Sequence, residues 1–295
     1  MNAGLLLPWI LAGRVVLSVG ASALQKRVLN QGADPSEFWR RNYRWMVPAG
    51  LAWMLLDWDP EAASRPRFWW NAIAAGVIDA AGNLLMLSAL RRTDLSVFGP
   101  MTAFRPVLAL MFGWLFLRES PSATGLVGLA VTAIGGALLL SDTRSGTTAS
   151  TGSRPVGILL RLAGLSLSTF AAVFLKSAVQ TGTTGMTLGV WIVTGALAVH
   201  LAGIAGKKPN QEAESLAETP AGISGTHAAV FFLMQWLTLL AFRGSLLAYS
   251  FAFFQAGMVL QVVVGRVVFG EPAFGRRLAG CGILGIGTLL IAWKG

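Results

Sequence analysis

The chain is poor in the groups from which most enzymes and soluble proteins are built. Its 295 residues include one cysteine, two histidines and only 12% charged residues. An average soluble domain carries about 25% charge, so water is not the main solvent of this chain. Cys281 lies in an apolar, glycine-rich run, which leaves no disulfide framework and no thiolate metal site. His200 and His227 each stand alone, with no carboxylate pair, Cys–His set or metal-ligand spacing beside them, so hydrolytic or metal chemistry is not expected. No Gly-x-x-x-x-Gly-Lys-Ser/Thr loop is present to cradle ATP, and no cofactor is expected. No segment alternates apolar and polar residues with period two, which argues against a strand barrel.

Apolar sequence is what the chain has in quantity: 54% hydrophobic residues and 35 glycines. Runs of about 20 such residues, enough to cross roughly 30 Å of hydrocarbon, recur at 5–27, 36–57, 68–90, 94–117, 122–141, 156–179, 185–205, 227–243, 246–269 and 274–293. Inside a bilayer only helices satisfy the backbone of such runs, so they predict an all-α integral membrane protein of ten transmembrane helices. The first run has no basic segment before it and no clean cleavage site after it, and reads as an uncleaved helix. A formal charge of +10 would suggest a nucleic-acid partner in a soluble protein. Here the basic residues sit between apolar runs, as headgroup and topology charges, so membrane lipids are expected as partners and nucleic acid is not.

The two halves of the chain repeat. A shift of 152 residues brings Glu119 onto Glu271, Gly128 onto Gly280 and Gly135 onto Gly287, and a shift of 150 brings Lys26 onto Lys176 and Ser18 onto Ser168. The expected units are a five-helix repeat over 1–141, a polar Ser/Thr/Gly-rich linker over 142–154 and a second five-helix repeat over 155–295. Because five is odd, consecutive units enter the membrane from opposite sides, giving an inverted-topology repeat.

Arg105-Pro106-Val107-Leu108-Ala109, Leu117-Arg118-Glu119-Ser120-Pro121 and the glycine-rich run Gly125–Leu140, echoed more weakly in Val268–Ile291, resemble the ten-helix, EamA-like branch of the drug/metabolite transporter superfamily. Lys26 and Lys176 match a lysine common near the ends of that family's first and sixth helices. Two features depart from a symmetric pattern: Met258 stands where Pro106 would repeat, and the seventh span lacks an arginine equivalent to Arg41 or Arg44. The resemblance implies a secondary transporter of a small-molecule substrate, working by alternating access around a central cavity and carrying out no catalysis.

Polar residues present in one half only are the candidates for solute contact. Arg14, Asp79 and Arg105 fall deep in predicted helices, where a charge costs roughly 2.5–3.5 kcal/mol on insertion scales, and they align with Gly164, Phe231 and Gly257. Asp79, Asn83 and Met86 share one helical face, and Phe98, Met101, Arg105 and Phe112 form a stripe on the fourth span. Two arginines against one aspartate favour an anionic, carboxylate-bearing solute. A purely structural Asp79–Arg105 or Asp79–Arg14 ion pair is the alternative. Asp79 is also the acid available for proton coupling. Lys176, Gln235, Tyr249 and Gln255 complete the candidate set, though Lys176 could instead snorkel to a headgroup and the others could bond neighbouring helices. Glu119 and Glu271, each followed closely by proline, read as helix-boundary caps. Arg40, Arg41 and Arg44 between Trp39 and Trp45 read as an interfacial belt. A flippase for a lipid-linked phosphate, or a non-transporting membrane scaffold with a sealed core, are the competing functions.

Thirteen basic residues, among them Lys26, Arg27, Arg91, Arg92, Lys207 and Lys208, flank the connections of one face, against six on the other. The positive-inside rule therefore puts both termini outside, whereas the family resemblance implies the reverse. A reporter fused after Gly295 distinguishes them: activity on the outer side of the membrane is the outcome that the charge asymmetry predicts.

Overall fold

The computed structural model of the chain describes residues 3–30, 35–90, 102, 105–141, 154–205, 221–269, 282–283, 285–287 and 290. Among these residues the only regular structure is helical. The elements are α1 (Ala3–Asn30), α2 (Pro35–Leu56), α3 (Pro60–Ala63), α4 (Pro66–Leu90), α5 (Arg105–Phe112), α6 (Ala123–Ser141), α7 (Arg154–Thr181), α8 (Thr184–Ala205), α9 (Ala221–Gly244) and α10 (Leu247–Phe269). Apart from the short α3, they answer to the first nine expected spans. Residues 94–101, most of the tenth span and the side chain of Lys26 lie outside the described set, as do Glu271, Cys281 and the linker 142–153.

Among the described residues, four helices hold a window long and apolar enough to cross a membrane: Leu6–Leu24, Val156–Thr181, Thr184–Ala202 and Gly222–Gly244. Arg105–Leu117 and Ala123–Gly135 are shorter apolar helices. The turn α3 was not expected from the sequence. It forms because Pro60 suits a first helical position and the Asp59 carboxylate accepts the Glu61 N–H at 2.9 Å. Beyond Phe112, α5 widens into a π-helical turn, Gly113–Leu117, and is stopped by Arg118 in the left-handed region at φ 55°.

Alongside an apolar core, the chain exposes large apolar side chains and buries polar ones. Trp9, Leu56, Trp70, Trp114 and Leu159 are exposed, whereas Asn42, Arg161, Lys176, His227 and Gln255 are buried. A hydrocarbon surround favours that arrangement, because apolar side chains cost nothing facing lipid and polar groups must find one another inside. Asn42 and His227 do so: Asn42 donates to the Phe38 carbonyl at 2.7 Å and its Oδ1 lies 2.8 Å from His227 Nδ1, tying α2 to α9. Trp39 is half-buried against this pair. It packs edge-on to His227 and Phe231, while Arg44 and Trp45 do face outward.

The closest packing runs between the halves of the chain: α4 on α7, α2 on α8 and α1 on α9, with α4 also on α8 and α9 also on α2. Glycines make these approaches possible. A Cβ on Gly164 would lie 2.8 Å from the Gly82 carbonyl oxygen, and one on Gly189 would lie 2.8 Å from that of Gly50. Likewise a Cβ on Gly287 would meet the Gly128 carbonyl oxygen at 2.7 Å, so the small-residue stripe of α6 faces the tenth span. Gly164→Ala is expected to destabilise the protein by about 1–3 kcal/mol, as overpacking does, read as a lower melting temperature in detergent; an unchanged melting point would mean that the α4–α7 crossing is loose.

Candidate functional site

Within the bundle, α1, α4 and α7 bring Arg14, Asp79 and Arg161 into electrostatic reach of Arg105 on α5; the first two and Arg105 are half-buried and Arg161 is buried. Arg105 is the hub, interacting through space with Asp79, Arg14 and Arg161. No direct ion pair joins Asp79 to Arg105 or to Arg14 among the described residues. Arg105 Nη2 donates instead to Ser168 Oγ at 2.6 Å, and its guanidinium lies 4.9 Å from the Phe251 ring centre. Its Nε is buried without a partner. Arg14 Nε donates to Thr238 Oγ1 at 3.3 Å, with its guanidinium 3.7 Å from the Phe254 ring centre.

Both hydroxyls are turned the same way by their own helices. Ser168 donates back to the Leu165 carbonyl at 3.3 Å and Thr238 to that of Met234 at 2.8 Å, so each presents a lone pair to an arginine. Phe251, Phe254 and Gln255 fall within one turn of α10 and make a platform beneath the two guanidiniums. Gln255 Nε2 donates to the Thr102 carbonyl at 2.8 Å, three residues before Arg105. Gln235 Oε1 lies 3.4 Å from Thr238 Oγ1, which brings it to the Arg14 side of the cluster. Across from the platform, Asn83 donates to Asp79 at 3.1 Å, and the Met86 side chain fills the space beside Gly164.

Arg161 is the member that sequence reasoning missed. It is buried on α7, two turns from Ser168 on the same face. The available signal was simple: an arginine inside a 26-residue apolar window that belonged to neither loop face.

Lys176 and Tyr249 do not join the cluster. They sit at the end of the bundle where the α2–α4, α5–α6, α7–α8 and α9–α10 connections meet. Lys176 is buried, ion-paired to Glu119 and donating to the Ser245 carbonyl at 2.6 Å, so it does not snorkel to a headgroup. Glu119 caps a helix, but not its own: its second oxygen accepts the Leu247 N–H at 2.8 Å at the start of α10. Tyr249 lies over Gly125 and accepts the Ser122 N–H at 3.0 Å. At the same end Asp57 accepts the Gly185 N–H at 2.7 Å and the Thr184 hydroxyl at 3.2 Å. Three ties thus clasp turns of the first half to helix starts of the second. Phe112 packs on Phe116 and Phe170, away from the arginines, and Phe98 and Met101 lie outside the described residues.

A comparison with curated proteins gives no match. One solved crystal structure is similar in fold over 96% of this chain and 94% of its own, with a TM-score of 0.73 at 16% sequence identity. At that identity the likeness speaks for the fold alone. Residues 7–141 match the family model of the EamA-like transporter family. Taken with the apolar helices, the match makes this a multi-pass integral membrane protein whose residues 7–141 are similar to the EamA-like transporter family.

Proposed function

We propose that this membrane transporter of small molecules carries a metabolite with an anionic group, most simply a carboxylate, bound between Arg14 and Arg105. The observation behind the reading is how the cations are held. Arg105 and Arg14 meet neutral hydroxyls and aromatic faces, and neither is ion-paired to Asp79. A bundle using these charges only as glue would join them, since a buried charge stripped of its counter-charge is costly. A carboxylate would supply the missing counter-charge through short, paired N–H bonds to a guanidinium, and the unpartnered Arg105 Nε is a donor for it.

Arg14, Arg105, Gln235 and Gln255 would contact the solute directly, with Asp79 and Asn83 facing it as a coupling acid and its hydrogen-bonding neighbour. Lys176 and Tyr249 would act at a distance, through the closed end of the bundle. The expected secondary mechanism fits the residues at hand, because the chemistry they offer is binding and proton exchange.

Movement is by alternating access between inverted five-helix repeats, 1–141 and 155–295, joined by 142–154. The packing supports this division. Exchanging each first-half helix for its counterpart turns the α4–α7 contact into α9–α1, α5–α7 into α10–α1 and α4–α8 into α9–α2, and all of these contacts occur. The central cavity would lie between the exchanged pairs.

Purified protein screened against soluble carboxylates should gain about 2.7 kcal/mol of stability at a ligand concentration 100 times Kd, seen as a rise in melting temperature. In proteoliposomes preloaded with a stabilising carboxylate, Arg105→Ala is expected to cut exchange at least about tenfold, equivalent to ~1.4 kcal/mol, with the fold intact. Normal exchange by that variant would sink the anion site. Stabilisation by phospholipids alone, with no competition from soluble acids, would favour the flippase.

A further inference from the structure

The arginine site and the closed end of the bundle are built on the same two helices. On α7, Ser168 and Lys176 are eight residues apart. On the other side of the contact, Arg105 opens α5, and the left-handed turn at Arg118 folds the chain back so that the Glu119 N–H bonds the Gly113 carbonyl at 3.1 Å. A Cβ on Gly113 would come within 2.9 Å of the Glu119 carboxylate, so glycine there leaves room for it. Glu119 therefore stands level with Gly113, again eight residues from Arg105. Eight helical residues rise about 12 Å, and the two polar ties, Arg105–Ser168 and Glu119–Lys176, form two rungs of one ladder between α5 and α7. Between them Phe112 and Phe116 pack on Phe170, contacts without directional bonds that tolerate sliding.

We infer that the Glu119–Lys176 pair is the latch that seals this end of the transporter, and that it is released by solute binding at Arg105; this rests on the anion-site reading above. A carboxylate that takes the Arg105 guanidinium from Ser168 removes the first rung. The ion pair is then the remaining polar tie between α5 and α7 among the described residues. Its side chains are 4% and 10% exposed, so it is dry while the end is closed. Buried ion pairs are poor sources of net stability, and their best-attested use is to specify or switch between arrangements. Glu119 also suits a switch because its position depends on a non-glycine residue at positive φ, a conformation that persists only when its surroundings enforce it. Opening frees Leu247 N and the Ser245 carbonyl as well, uncapping the start of α10, the helix that carries Phe251 and Phe254 under the arginines. The latch and the site are thereby joined from both sides.

The test uses thiol accessibility in purified full-length protein with Cys281→Ser. Ser250→Cys, buried beside Ser245, reports the sealed end, and Ala75→Cys, buried on α4, reports the core. The probe is a membrane-impermeant maleimide. E119Q keeps an acceptor for Leu247 N but loses the charge; Lys176→Met removes the ammonium and leaves the cap. Each is expected to speed labelling at Ser250→Cys about tenfold, the effect of ~1.4 kcal/mol on a two-state opening, with Ala75→Cys unchanged. Unchanged labelling at both reporters, a parallel rise at both, or failure of both variants to fold would make the pair a structural tie and overturn the latch. The anion site fails separately: opening by E119Q alongside normal exchange by Arg105→Ala would keep the latch and remove its proposed trigger.

Discussion

The crossing of α4 and α7 is the contact on which the interior depends. Gly82 and Gly164 let the two backbones approach so closely that a single added methyl group would collide with a carbonyl oxygen. Because the helices meet there, Asp79 and Asn83 of α4 come to share a space with Ser168 of α7, and Arg105 can reach across to that serine. In hydrocarbon no hydrophobic force pulls two apolar helices together, so close backbone packing between small residues has to do it. The polar site is a by-product of that approach: glycines leave no bulk to fill the gap, and the polar side chains around it can meet.

Much of the architecture was legible in the sequence because a bilayer imposes a plain rule of length and apolarity. Nine of the expected spans coincide with described helices to within a few residues, apart from the opening of the fourth, which lies largely outside the described set, and the eighth, whose helix begins six residues early. The glycine stripes of α6 and α7 announced close packing and deliver it. That Arg14, Asp79 and Arg105 stand within helices and not in connections could also be read, since each lies inside an apolar run.

Partners could not be read in the same way. Sequence position places Lys176 near a helix end, where a headgroup is the obvious company. Its actual company, Glu119 and Ser245, arrives from two connections, α5–α6 and α9–α10, the first shaped by a π turn and a left-handed residue with no clear sequence mark. Trp39 shows the same limit: nothing in its neighbours marks its edge-on packing against His227 of another helix. Arg161 lies inside an apolar window, where no local pattern tells a buried arginine from one that reaches a headgroup. In each case the deciding contact is long-range.

The platform of Phe251 and Phe254 has a thermodynamic corollary. An aromatic face attracts a cation by roughly 0.5–2 kcal/mol, less than a carboxylate does, and it remains in the site when no cargo is present. Arg14 and Arg105 are each held by one ring and one hydroxyl, weaker partners than a carboxylate. Those partners fix where each guanidinium points while leaving its charge unneutralised. Orientation and charge compensation are thus separate duties here, performed by different groups.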